Sequence, residues 1–441
     1  MRITWYSNSP FAPSGYGGQT AQVGLRLKAA GHEVEFSAND GQRGDAVWEG
    51  MLVRGMGETR FGLDALRGDI DRGFGGRGAD WTVALFDVWT FAQGQDPFEG
   101  LARRTAAWVP VDHYPCPPTL LPWLAKGYTA IAMSRFGEAQ LRDASAQLEA
   151  ERRSPFPVLY APHAVDRSVY RPTPVLPSAG VPFRQVIGVP DDALLVGIVS
   201  ANTGTAIVDR KGFGDMSAAL AQFMRRHPEA YVYLHTLQRG VEGVDLPAML
   251  AVDGVPADRI RWADQWLLRK RLVPPEDMAA IYSAMSVLLM TSRGEGFGLP
   301  AVEAQACGTP VILSNWTAQP ELVGRPWDGA DMGFQRHPSG WLVPVDPDYD
   351  PRHGARFGKP LIGGIIRALD QAADALSTPD GRAALRDAAT ARAALWDADA
   401  VFEEHWRPIL ARMEAGLSGP APQDGRPANR AARRQLARAG A

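Results

Sequence analysis

The chain reads as two α/β domains, each a doubly wound and mostly parallel sheet, facing each other across a cleft. Three observations predict this. Its 441 residues exceed what one ordinary core accommodates and suit two units of about 200 residues. In both halves, short apolar runs of buried-strand character alternate with helical periodicity, the pattern of successive βα units. A proline-rich stretch without periodicity, Arg171 to Phe183, lies between the halves and reads as a connector. The expected division is residues 1–170, the connector 171–183, a second domain over 184–395, a terminal helical segment over 396–416 and a disordered basic tail from 417 to 441.

Composition narrows the function classes. With 45% apolar and 22% charged residues the chain is an ordinary globular enzyme in make-up. A net charge of −3 gives no global attraction to nucleic acid or to an acidic membrane. Cys116 and Cys307 are too few and too far apart for a disulfide framework, and no run of about 18 apolar residues could span a bilayer. The first residues already read as a strand rather than a signal peptide, so the expected location is cytoplasmic, with peripheral membrane contact left open.

In chain order, Arg2 to Ser7 is a strand, Asn8 to Gly18 a loop, and a helix runs on through Leu27 to Ala30 before a second strand, Glu33 to Ser37. Gly15, Gly17 and Gly18 place flexible backbone at that helix start, although they do not fit G-x-G-x-x-G. The Gly-, Arg- and Asp-rich segment from Arg67 to Gly78 reads as surface loop, followed by strands at Trp81 to Phe86 and Ala106 to Val111. Asp112 and His113 then stand at a strand's carboxyl end, where ligand sites of α/β sheets gather. Tyr128 to Met133 is a strand, Ser134 caps the next helix, and Val158 to Ala161 leads into Pro162-His-Ala-Val-Asp166.

The second half opens on a strand, Leu194 to Ser200, and a loop, Ala201 to Gly214, that delivers Arg210 and Lys211 to the start of an amphipathic helix. A forked guanidinium and a point ammonium beside a helix N-terminus suit a pyrophosphate. Further strands are expected at Tyr231 to Thr236 and Arg259 to Trp262, with Asp264 and Gln265 entering a loop, and a helix opens at Pro275. Next comes the most informative stretch, Ser292-Arg-Gly-Glu-Gly-Phe-Gly-Leu-Pro-Ala-Val-Glu-Ala-Gln-Ala-Cys-Gly-Thr-Pro310, between the apolar runs Ser286 to Met290 and Val311 to Leu313. Gly294, Gly296 and Gly298 let the loop turn and expose its amides, Pro300 suits a first helical turn, and Gly308 suits a helix stop. A two-turn helix whose N-terminus points into the crevice is an anion site, and Glu295 and Glu303 flank it. Trp341 to Val345 is a late strand, and Leu361 to about Ala394 is helical and alanine-rich.

Glu295 and Glu303, with seven residues between them, resemble the Glu-x7-Glu motif of retaining glycosyltransferases of the GT-B fold, the glycogen-synthase-like family 4. The resemblance is good from Leu194 to Val345 and loose before it. It implies that Glu295 lies against the donor sugar, that Glu303 binds the nucleotide ribose, and that Phe297, Gly298 and Leu299 contact donor sugar and phosphate. Lys211-Gly212, with Arg210 adjacent, is similar to the family's phosphate clamp. By the same resemblance Gly17 and Gly18 face the donor phosphates, His113 is a donor-sugar contact, the loop at Gln265 holds the nucleobase, and Trp396 to Glu414 crosses back onto the first domain.

The implied activity is transfer of a sugar from a nucleoside diphosphate sugar to an acceptor hydroxyl with retention, the departing diphosphate stabilised by Arg210, Lys211 and loop amides without cofactor or metal. The acceptor could be a glycan, a lipid-linked sugar, a small molecule or a modified nucleobase. Two other readings remain at this stage: a nucleotide-sugar epimerase, and a non-catalytic sugar-nucleotide binding protein on the same fold.

Overall fold

A computed structural model describes residues 1–92, 96–202, 209–240, 243–325, 327, 329 and 331–418. The tail expected from 417 onward lies almost wholly outside the described residues, as does the middle of the loop before Arg210.

Two sheets carry the fold. The first contains β1 (Arg2–Ser7), β2 (Glu33–Ala38), β3 (Ala46–Trp48), β4 (Met51–Arg54), β5 (Trp81–Leu85), β6 (Thr105–Val109), β7 (Thr129–Ala132) and β8 (Val158–Tyr160), in the order β3-β4-β2-β1-β5-β6-β7-β8. The second contains β9 (Leu195–Val199), β10 (Tyr231–His235), β11 (Ile260–Trp262), β12 (Val287–Met290), β13 (Val311–Ser314), β14 (Gln335–His337) and β15 (Gly340–Val343), in the order β11-β10-β9-β12-β13-β15-β14. Among the described residues of these two sheets, only the edge strands β3 and β14 run antiparallel to their neighbours. The inner strands β5, β6, β9, β12 and β13 are buried at every position, which is why they read as unbroken apolar runs rather than alternating ones.

In each sheet the strand order reverses at one point. The chain winds outward from β1 through β2, and then returns to β5 on the other side of β1. It likewise winds from β9 through β10 and β11, and returns to β12. Adjacent parallel strands whose connections leave in opposite directions open a crevice at their carboxyl ends. The two crevices, after β1/β5 and after β9/β12, face each other across the domain boundary.

The C-terminal segment ties the halves together. After helices Ile362–Leu376 and Pro379–Ala393 the chain returns to the first sheet, and the indole of Trp406 packs 5.7 Å from Trp5 and 4.9 Å from Trp108. Trp81 Nε1 donates to the Met413 carbonyl at 3.1 Å. The segment expected as a helix over 396–416 runs without a break from Ala398 to Ser418, with a π turn at Phe402–Trp406.

Four local expectations differ from the structure. Residues 67–78, read as loop, are helical in their first half, where Leu66 and Ile70 are buried at helical spacing within Leu63–Gly76, and leave helical geometry at Gly73, with Phe74 and Gly75 at φ +55° and +67°. Gly15, Gly17 and Gly18 belong to the first turn of the helix Gly15–Ala29, because the Ser14 side chain accepts from the Gly17 amide and starts it early. Asp264 caps a short helix, Gln265–Lys270, where a loop was expected, its side chain accepting from the Trp266 and Leu267 amides. The late strand splits at Pro344, which lacks an amide hydrogen: β15 stays in the sheet, and β16 (Val345–Asp350) leaves to form an antiparallel hairpin with β17 (Ala355–Pro360).

Trp406→Ala is expected to destabilise the protein by about 3–5 kcal/mol, the usual cost of emptying a buried tryptophan site. Urea denaturation followed by far-UV circular dichroism would show it as a lower transition midpoint.

Candidate active site

The chemistry gathers where the two crevices meet. From β9 the chain reaches Arg210 and Lys211, and Gly212, at φ +71°, turns it into the helix Phe213–Arg226. From β12 it passes Ser292 to Phe297, and Gly298, at φ +111°, turns it into the helix Leu299–Ala306, with Pro300 in the first turn and Gly308 in the left-handed region after its end. Glycine at each N-cap offers no side-chain cap, so the helix Leu299–Ala306 presents first-turn amides to the crevice, whereas in the helix Phe213–Arg226 the Gly214 amide already donates to Asp209 Oδ2 at 2.7 Å. A Cβ on Gly212 would stand 2.6 Å from the Thr291 carbonyl oxygen, so only glycine lets the two loops lie side by side.

Lys211 and Glu295 join these loops in a near-buried ion pair, Nζ to Oε1 at 2.6 Å, with the side chains 13% and 12% exposed. Arg210 donates to the Gly294 carbonyl at 3.2 Å and stands 3.9 Å from Glu295 Oε2 and 3.7 Å from Asp112 Oδ2 of the first domain. Burial alone would raise the Glu295 pKa, but Lys211 and Arg210 outweigh it and hold the carboxylate ionised. Burial, reinforced by the Arg210 charge, lowers the Lys211 pKa. The cluster is therefore a pair of cations with one carboxylate between them and a second, Asp112, across the domain boundary.

Glu303 sits differently. It accepts from the Tyr282 hydroxyl at 2.7 Å, and burial drives its pKa up to about 7 although hydrogen bonds from Tyr282 and Tyr170 act against this. It is therefore poised to gain or lose a proton near neutrality, whereas Glu295 is locked in its charged form.

The remaining expected residues divide. Gly17 is buried against its own loop, where a Cβ would stand 2.1 Å from the Ala12 carbonyl oxygen, while Gly18 is exposed with open space beside it. Leu299 reaches across to the first domain, 3.1 Å from where a Cβ on Gly15 would be. Phe297 is 2% exposed between His163 and Trp396, so its ring packs the domain junction and only its backbone faces the loop. The side chain of Gln265 is spent on backbone groups, donating to Thr236 and Ala263 and accepting from Gln238, and so shapes its loop. His113, expected against a ligand, is 3% exposed beneath the β16–β17 hairpin, its ring 3.9 Å from that of Phe357. It reaches the cluster only through Asp112, whose Oδ1 lies 2.6 Å from its Nδ1.

Three contributors went unnoticed in the sequence. Asp87 follows β5 at the first crevice; burial and the nearby Asp112 raise its pKa to about 6. Tyr16 lies close enough to sense Asp87, Asp112, Arg210 and Glu295. Thr317, held at φ +51°, accepts from the Glu295 amide at 3.2 Å. Position offered a signal for all three: Asp87 and Thr317 shortly follow the carboxyl ends of β5 and β13, and Tyr16 lies within the glycine-rich stretch.

Comparison with known proteins bears on this arrangement. Residues 245–348 match the family described as "Glycosyl transferases group 1". The chain is 28% identical over 195 residues to a D-inositol 3-phosphate glycosyltransferase of Corynebacterium jeikeium, covering 40% of this chain and 42% of that protein. The curated relatives it matches are covered over only part of their own length, from 16% to 55%. Among solved structures, a sucrose-phosphate synthase from Thermosynechococcus elongatus superposes with a TM-score of 0.66 at 18% identity, covering 94% of this chain and 100% of that one. A UDP-forming α,α-trehalose-phosphate synthase from Burkholderia vietnamiensis gives 0.63 at 14% identity, covering 94% and 96%. The fold is GT-B.

The two glutamates predict opposite pH signatures, and Glu303 offers the sharper test. Its folded pKa of about 7 lies above the ordinary glutamate value of about 4.3, so the ionised form is the one the fold disfavours. That cost is absent below about pH 4, grows between the two values and is complete above pH 7. Glu303→Gln is accordingly expected to raise the thermal midpoint at about pH 8 and to leave it unchanged near pH 4. Calorimetric melts at the two pH values would show the difference.

Proposed function

From a GT-B fold that carries a group 1 glycosyl transferase segment, we propose that the chain is a retaining glycosyltransferase moving a sugar from a nucleoside diphosphate sugar to an acceptor hydroxyl. The observation that carries this reading is the meeting of Arg210, Lys211 and two helix N-termini at one crevice, with Glu295 paired to Lys211 at 2.6 Å. Cations and first-turn amides aimed at one point suit a diphosphate, and they stabilise it most when it departs with its full charge. A glutamate held ionised beside them suits the hydroxyls, and the developing positive charge, of a transferring sugar. Glu303, accepting from tyrosines and titrating near neutrality, suits the paired hydroxyls of a ribose. The structural neighbours include a UDP-forming synthase, which accords with a nucleoside diphosphate as leaving group.

In the proposed reaction the bond from the anomeric carbon to the diphosphate oxygen breaks, the electron pair leaves with the diphosphate, and the acceptor oxygen bonds the same face of the sugar as its proton passes to the departing group. Arg210 and Lys211 offset the leaving group's charge, so the step needs no metal. Lys211 must exchange part of its contact with Glu295 for the phosphate, which couples donor binding to release of the carboxylate toward the sugar. The group 1 glycosyl transferase segment favours transfer over donor isomerisation.

Lys211→Ala and Glu295→Gln are each expected to lower turnover by about 10²- to 10³-fold, the usual loss on removing one charge-stabilising group. A thermal-shift screen with UDP, GDP, ADP and their sugars would select the donor, and mass spectrometry of acceptor extracts would then read transfer. Near-normal turnover in both variants, each verified as folded by circular dichroism, would overturn the assignment. Donor binding without transfer to any acceptor would support a binding protein instead.

A further inference from the structure

We propose that His113 of the first domain and Asp350 and His353 of the β16–β17 hairpin form a binding site for a divalent transition-metal ion that clasps the two domains. Each residue offers one ligand atom, and the three atoms lie within 4.8 Å of one another. Two imidazoles and one carboxylate are a donor set for zinc or a neighbouring first-row metal rather than for magnesium or calcium.

The argument rests on what each side chain does with its other atoms. His113 is 3% exposed, and its Nε2 is buried with no hydrogen-bond partner among the described residues. That nitrogen faces Asp350 Oδ2 at 3.6 Å, too long for a hydrogen bond. Asp112 accepts the Nδ1 hydrogen at 2.6 Å, which leaves a lone pair on Nε2 pointing toward a carboxylate. Two acceptors facing each other in a buried place call for a cation between them. Carboxylate support behind a histidine is the arrangement that orients metal-ligating imidazoles.

The other two ligands are oriented in the same way. Asp350 is held from behind by Arg352, whose backbone amide, Nε and Nη2 reach its oxygens at 3.0, 3.1 and 3.0 Å. His353 Nδ1 meets Thr119 Oγ1 at 3.2 Å, leaving its other ring nitrogen to offer. The His113 and His353 rings stand 4.9 Å apart at 45°. Beside the site, Tyr114 and Arg356 exchange backbone hydrogen bonds across the boundary at 3.1 and 2.8 Å, so the hairpin is already fastened to the first domain where the ion would sit. Through Asp112, 3.7 Å from Arg210, an ion here would also fix one wall of the cation cluster. The site stands on its own residues and does not depend on the sugar-transfer reading.

The full chain, stripped of metal with a chelator and dialysed, would be titrated with Co²⁺ and then Zn²⁺. The expected result is one equivalent of Co²⁺ with visible ligand-field bands, displaced by Zn²⁺, and a higher thermal midpoint with Zn²⁺. His353→Ala and Asp350→Asn should abolish the bands while keeping the far-UV circular dichroism of the parent. Absence of stoichiometric Co²⁺ binding to the intact chain would overturn the proposal, and so would unchanged bands in folded His353→Ala. Should both variants unfold, the intact chain's titration decides alone.

Discussion

The ion pair between Lys211 and Glu295 is the constraint on which the rest of the site depends. Each residue lies on a loop leaving a different strand, so the pair exists only because β9 and β12 are neighbours at the reversal of the second sheet. Removing one partner of such a pair typically costs about 3–5 kcal/mol, because the other charge stays desolvated. Desolvation also makes the pair responsive. With Arg210 beside it, Lys211 is repelled as well as attracted, and an arriving anion would compete with Glu295 for it where water does not screen the exchange.

The two domains approach closely at this point, and glycine is what permits it. A Cβ on Gly294 would stand 2.0 Å from the Asp112 carbonyl oxygen, and one on Gly296 would stand 2.9 Å from the Pro110 side chain. Elsewhere along the boundary Glu321 accepts from the Arg135 amide at 2.9 Å, at the start of the first domain's helix Arg135–Ala150. The β16–β17 hairpin closes the same side, covering His113 and bringing Asp350 and His353 against it. The cation cluster of the second domain is thereby set against first-domain carboxylates, Asp87 and Asp112, that face Arg210 from the other side.

These carboxylates differ in proton affinity for reasons the geometry supplies. Burial opposes ionisation of Asp112, but His113 and Arg210 together bring its pKa to about 2. Asp87 has Arg210 as its cation but Asp112 as a like-charged neighbour, and burial leaves it near 6. Glu303 has only neutral tyrosines and rises further. One crevice thus holds a carboxylate fixed in its charge beside others that titrate near neutrality.

The sequence by itself determined the two-domain α/β architecture, because parallel strands buried on both faces must be written as apolar runs and helix ends must be marked by residues such as Ser134, Pro300 and Gly308. It also located Arg210, Lys211, Glu295 and Glu303, whose types and spacing are local properties of two βα turns. What it could not show was which partner each would meet. Glu295 and Glu303 look alike in the chain, and only packing gives one two cations and the other two tyrosines. His113 stands at a strand's carboxyl end, as expected, yet a hairpin more than two hundred residues away covers it. That hairpin begins at a proline that could be read as the end of a strand but not as a departure from the sheet. Pairing, burial and charge compensation arise between residues distant in sequence, so they were settled by the tertiary structure alone.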